Sequence, residues 1–157
     1  MQYTLFDLLK PEHILIGVDA TSAEDAIRKL SGPIVQSGHA LAEFAEDVWK
    51  REQTFPTGLP TQPIAIAIPH ADPDHVNASA VCIGVLKSPV QFLQMGTDGT
   101  TKLDVHIIFL LAIKEREKQV EMIQQLVSLI QNRRLLQGLI AAGSAPEVLG
   151  LIQQTLE

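Results

Sequence analysis

A chain of 157 residues, 46% apolar and 19% charged, is long enough to bury one core and too apolar to be a disordered segment. Twelve Lys and Arg against eighteen Asp and Glu give a net charge of −6, which argues against a nucleic-acid binder, whose footprint is a basic face. A single cysteine, Cys82, excludes an internal disulfide and any multi-cysteine zinc site, and fits a reducing compartment.

The pattern alternates between helix and strand. Residues 4–9 suit a short helix stopped before Pro11, and residues 13–18 a first strand. Thr21 and Glu24 have the spacing of a capping box, which satisfies free amides at a helix start. Ala26, Ile27, Leu30 and Ile34 follow at helical spacing. Pro33 should kink or split that helix, and Gly38 suits its end. A second helix is expected over residues 41–52, with Leu41, Phe44, Val48 and Trp49 inward. Ile64, Ile66 and Ile68 alternate with Ala65 and Ala67, a strand with bulky residues on one face and alanines beneath a close neighbour on the other. Residues 81–86 and 90–93 read as two strands joined around Lys87-Ser88-Pro89, and Gly96-Thr97-Asp98-Gly99 as a turn. Residues 103–113 form a near-continuous apolar strand, the pattern of one covered on both faces. Helices are expected over residues 115–131, with Val120, Ile123, Leu126, Val127 and Ile130 inward, then 133–142 and 146–156, the last capped by Ser144 and Glu147. The whole predicts an α/β fold: a single layered domain over residues 1–157, with a mixed, mostly parallel sheet of about five strands and helices on both faces. Asp7 and Lys10 break the apolar N-terminal run, no basic segment precedes it, and no stretch nears the roughly 18 apolar residues of a membrane helix. A soluble cytoplasmic protein, without direct membrane insertion, is expected.

The chemistry gathers in two segments, Arg51-Glu52-Gln53-Thr54-Phe55-Pro56-Thr57-Gly58 and Ile64-Ala65-Ile66-Ala67-Ile68-Pro69-His70. His70 falls just beyond a buried strand, where ligand sites of open α/β sheets collect, and Pro69 stiffens the connection that presents it. Thr57-Gly58 offers a hydroxyl and a residue free to take positive φ, so that backbone amides can point at an anion. Arg51 offers a rigid fork of donors suited to phosphate oxygens. A histidine with one unprotonated ring nitrogen, its tautomer fixed through the other, can accept a phosphoryl group among such donors. By pattern alone a plain turn histidine is an equal reading of His70.

These residues resemble the enzyme IIA component of the fructose–mannitol type in the bacterial sugar phosphotransferase system. The resemblance rests on Arg51-Glu52, Thr57-Gly58, the signature ending Ile68-Pro69-His70, Asp98-Gly99 before the apolar strand, and that strand followed by a long helix. Phe55-Pro56-Thr57-Gly58 and the His70 to His75 stretch look most like the galactitol-specific subgroup. The resemblance implies that His70 takes a phosphoryl group from phospho-HPr on Nε2, with Nδ1 anchored, and passes it to a cysteine of enzyme IIB, which works with a membrane-bound IIC. It implies Arg51, Thr57 and Gly58 around the phosphoryl group, and no metal or organic cofactor, because a phosphohistidine is itself the donor. The assignment to galactitol or a related polyol rests on the subgroup resemblance alone. Many members carry a second active-site histidine at the start of the long helix; Gln119 stands in that register here, a candidate phosphate contact that cannot carry a proton charge. His75 is a second candidate for lining the site.

Two other functions fit the same residues. A regulatory protein of the nitrogen-type IIA kind shares every motif. A metal-dependent hydrolase can be drawn from His70, Asp72, Asp74 and His75, whose plainer reading is a polar loop of turn formers. His13 and His39 are expected to be solvated or capping residues. His106 is expected to be a hydrogen-bonded sheet histidine, and Cys82 a buried small hydrophobe rather than a phosphocysteine.

Overall fold

A computed structural model describes residues 3–96 and 99–156. Five strands, β1 (Leu9–Val18), β2 (Gly58–Leu59), β3 (Ala65–Ala67), β4 (Ala80–Leu93) and β5 (Lys102–Ala112), form one sheet in the order β1-β4-β5-β3-β2. Five helices accompany it: α1 (Ala23–Gln36), α2 (Phe44–Thr54), α3 (Arg116–Leu129), α4 (Arg133–Ala141) and α5 (Ala145–Leu156). The sheet is mixed as expected, but its balance is even. β1–β4 and β3–β5 run parallel, β4–β5 and β2–β3 antiparallel, where mostly parallel pairing was expected. Among the described residues, no helix is long and apolar enough to cross a membrane.

Apolar side chains leave both faces of the sheet, so two cores form. Ile66, Ile68, Ile83, Ile107, Phe109 and Leu111 pack with Met122, Leu126, Leu136, Leu139, Val148 and Ile152 of α3, α4 and α5. Ala67, Cys82, Ile108 and Leu110 pack with Ile27, Leu30, Ile34, Phe44 and Val48 of α1 and α2. The isoleucine and alanine rows of β3 thus face different layers. A β-carbon at Gly84 would stand 2.6 Å from the Leu30 side chain, so glycine here lets α1 settle directly on β4.

Several boundaries differ from expectation. The N-terminal helix is one 3-10 turn, Phe6–Leu8, and β1 starts at Leu9 and runs through Pro11, which an edge strand tolerates. Ser22, not Thr21, caps α1: its hydroxyl accepts the Asp25 N–H at 3.1 Å, while the Asp25 carboxylate accepts the Thr21 N–H. α1 continues through Pro33 without splitting. α2 starts at Phe44 because Ala40 and Leu41 pair with Val76 and His75, which leaves Leu41 exposed. The two strands expected at 81–93 are one, interrupted between Val85 and Val90 by a bulge that turns Lys87-Ser88-Pro89 to solvent. The expected turn at Gly96 to Gly99 includes Thr97 and Asp98, which lie outside the described residues. Val120, expected inward, is 59% exposed, because α3 packs through Met122, Leu126 and Leu129 instead.

Candidate active site

β3 ends at Ala67, yet the chain stays attached to β5. The Leu111 N–H donates to the Pro69 carbonyl at 3.0 Å, and His70 bridges to Leu111. His70 therefore stands just past the end of β3, held against β5. The residue is 8% exposed. Nδ1 lies 2.8 Å from the Ile68 carbonyl, which can only accept, so the proton sits on Nδ1 and Nε2 carries the lone pair. Nε2 has no hydrogen bond among the described residues, and it is not one of the enclosed polar atoms left without a partner, so it meets solvent. Burial, chiefly, and the nearby Arg51 charge hold the ring below its ordinary pKa, against the pull of the Ile68 carbonyl and Asp72. A neutral imidazole with an open Nε2 is a nucleophile.

Arg51, on the last turn of α2, lies with its guanidinium 5.0 Å from the centre of the exposed Phe55 ring. Its Nε is enclosed and has no hydrogen-bond partner among the described residues. With Asp47, Lys50, Ala71, Asp72 and Asp74 it lines a cleft of about 190 Å³ next to His70. A larger groove of about 700 Å³, reaching from Phe6 to Glu121 and Leu156, shares no residue with this cleft.

Thr57 and Gly58 behave differently from expectation. Thr57 is 2% exposed, and its hydroxyl donates to Glu52 at 2.8 Å and accepts the Ile68 N–H at 3.2 Å, so it has no hydrogen left for a phosphoryl oxygen. Thr57 supports the loop that carries His70. Gly58 does not take positive φ and forms no amide nest; it lies in β2, where a β-carbon would stand 2.7 Å from the Leu93 carbonyl oxygen. Gln119 reaches the His70 loop from α3, its Nε2–H donating to the Ala71 carbonyl at 2.8 Å. His75 is hydrogen-bonded through Nδ1 to Asp47, which raises its pKa. Arg116 faces Asp72 at 3.4 Å and Asp74 at 3.6 Å. The four residues drawn as a metal cluster are thus turned elsewhere: His70 to the Ile68 carbonyl, His75 to Asp47, and both Asp72 and Asp74 to Arg116. Among the described residues, no group of three or more such side chains is placed to share an ion.

Elsewhere, His13 is buried, not solvated, and its Nε2 meets the Ser37 hydroxyl at 3.0 Å. His106 has an enclosed Nδ1 without a partner instead of the expected hydrogen bond. Cys82 is fully buried and its thiol is pushed up to about 12, which leaves it inert.

By sequence Glu52 belongs to the Arg51-Glu52 motif, with no role of its own. It is 6% exposed, and its carboxylate accepts the Thr57 N–H and hydroxyl, each at 2.8 Å. Burial raises its pKa from 4.5 to about 7, despite those two hydrogen bonds and the Arg51 charge. Between 4.5 and 7 the unfolded chain has released this proton while the folded chain retains it, so stability falls as pH rises through that window. The shift corresponds to about 3 kcal/mol. In urea titrations from pH 4.5 to 7, wild type is expected to lose about that much stability relative to Glu52→Gln. Parallel stability curves would contradict the burial of a titrating carboxyl.

The end of β3 thus holds an enclosed histidine of fixed tautomer, its Nε2 open, with the Arg51 charge nearby. The family model described as phosphoenolpyruvate-dependent sugar phosphotransferase system, EIIA 2, matches residues 7–155, and the chain belongs to that family. It is a phosphotransferase component of that system. The multiphosphoryl transfer protein of Shigella flexneri is 30% identical over 152 residues, 95% of this chain and 17% of the relative, so the chain spans under a fifth of that relative's length. The PTS system galactitol-specific EIIA component of Escherichia coli K12 is 23% identical over 124 residues, 79% of this chain and 81% of the relative. The solved complex of enzyme IIAMTL and phosphorylated enzyme IIBMTL from Escherichia coli has a chain that aligns with a TM-score of 0.75 and 25% identity, covering 93% of this chain and 97% of that one.

Proposed function

We propose that the chain is a histidine phosphocarrier. It takes a phosphoryl group from phospho-HPr on Nε2 of His70 and delivers it to a cysteine of an enzyme IIB that serves a membrane-bound IIC. The Nε2 lone pair attacks phosphorus as the bond from phosphorus to the donor's histidine breaks, and the donor ring leaves with that electron pair. The proton stays on Nδ1 throughout, donated to the Ile68 carbonyl. Arg51 stabilises the charge on the transferring oxygens. In the second transfer the IIB thiolate attacks the same phosphorus, and His70 leaves as the neutral ring. The observation that carries the reading is the His70 tautomer, with Nδ1 committed and Nε2 open beside Arg51. A sugar or polyol, with galactitol one candidate, is the proposed cargo of the cognate transporter.

The test is incubation with phosphoenolpyruvate, enzyme I and HPr, followed by isolated IIB proteins. Acid-labile, base-stable phosphate on His70 that then moves to a IIB cysteine is the expected result. Absence of label, or label on another residue, overturns the assignment. Label on His70 that no IIB removes makes the chain a regulatory phosphoprotein instead.

A further inference from the structure

A carboxylate at 6% exposure with no Lys, Arg or His within ion-pair distance among the described residues is costly to keep. Glu52 contributes no sheet or helix hydrogen bond through its side chain. What it does make is the first link of a polar chain that ends at the acceptor histidine. In the ionised form both carboxylate oxygens can only accept, so they take the Thr57 N–H and the Thr57 hydroxyl hydrogen together, each at 2.8 Å. With its hydrogen so directed, the hydroxyl oxygen turns a lone pair to the Ile68 N–H at 3.2 Å. The same N–H is also 3.4 Å from the Thr57 carbonyl. Ile68 is thereby held in place, and its carbonyl receives Nδ1–H of His70 at 2.8 Å. An amide at position 52 would have to present its NH2 to one of the two Thr57 donors. To accommodate it the hydroxyl would reverse, becoming the acceptor for the amide and losing its own acceptor.

We propose that Glu52 is a positioning residue of the phosphoryl-acceptor site, which sets the tautomer and aim of the His70 ring through Thr57 and the Ile68 backbone. Glu52 touches neither the ring nor any transferred group; it acts only through the two residues between. The inference deepens the phosphocarrier reading and rests on it for its kinetic consequence, but its spectroscopic consequence does not depend on any donor.

The experiment compares wild type, Glu52→Gln, Thr57→Val, Thr57→Ser and the Glu52→Gln/Thr57→Val double variant. Nitrogen-15 spectra of the unphosphorylated protein read which nitrogen of His70 holds the proton, and quenched-flow labelling reads transfer from phospho-HPr. The expected result is a single Nδ1–H form in wild type and Thr57→Ser, and a mixture of tautomers in Glu52→Gln and Thr57→Val. Transfer should slow about tenfold in either deficient variant. The double variant should be no slower than the worse single one, because the two residues act in series. Unchanged amide spectra away from residues 52–70 establish that each variant is folded; if Glu52→Gln proves unfolded, Thr57→Val against Thr57→Ser decides. An Nδ1–H His70 in every variant overturns the inference, as do additive kinetic losses. If wild type accepts no phosphate, the carrier reading fails while the tautomer result still judges Glu52.

Discussion

His70→Ala is expected to abolish phosphate incorporation from phosphoenolpyruvate, enzyme I and HPr, while leaving the fold intact. The loss should be total because, among the described residues, no other histidine anchors Nδ1 on a backbone carbonyl and leaves Nε2 open. Cys82 is sealed in the core with its thiol pushed up to about 12, and His75 lies against Asp47, which raises its pKa. The fold should survive because the ring hydrogen-bonds only to the Ile68 carbonyl, and the bridge to Leu111 is made by backbone. Removing a buried ring held below its ordinary pKa also removes a group that resists charging, so the acid limb of the stability curve should flatten. In the wild type that resistance costs stability as pH falls below the ordinary histidine value, where the unfolded chain takes a proton that the folded chain declines. Gel-shift or mass measurement of the labelled protein, alongside thermal melts between pH 5 and 8, checks both halves. Residual labelling comparable to wild type would remove His70 from the centre of the mechanism.

Arg51→Lys is expected to slow transfer about 100-fold without altering stability appreciably. The charge survives this substitution, so a mere requirement for positive potential would leave the rate almost unchanged. What lysine lacks is the planar fork and the Nε donor, which in Arg51 is enclosed and unsatisfied. Lysine also lacks the planar guanidinium that stands 5.0 Å from the centre of the Phe55 ring. Single-turnover rates from phospho-HPr decide between geometry and charge. A lysine variant within threefold of wild type would show that Arg51 contributes only potential.

The sequence made the acceptor visible and left its support hidden, for physical reasons that differ residue by residue. His70 stood out because the isoleucine–alanine alternation of residues 64–68 marks a buried strand, and a polar residue after such a strand has few structural excuses. Glu52 looked like one more charged residue near a helix end. Only the return of the chain at Thr57, five residues on, covers it and gives it two donors. The Thr57 hydroxyl was legible as a donor but not its direction, which is set by Glu52 on one side and Ile68 on the other. Val120 shows the limit of periodicity: its spacing from Ile123 and Val127 fits an inward stripe, yet the face α3 buries is set by Met122, Leu126 and Leu129. The merger of two expected strands into β4 shows another. Lys87-Ser88-Pro89 has the composition of a turn, and a bulge against β5 absorbs it without reversing the chain.

The outer margin of the sheet carries a consequence of its own. β1 lies at one edge, where unpaired amides and carbonyls invite any extended peptide to add on. Between Leu9 and Ile14 its register against β4 slips, and Lys10, Pro11 and Glu12 project to water there. Two opposite charges, a residue without an amide hydrogen and a kinked path make that margin a poor template. This short irregular stretch disfavours strand-to-strand stacking of copies of the chain along that edge.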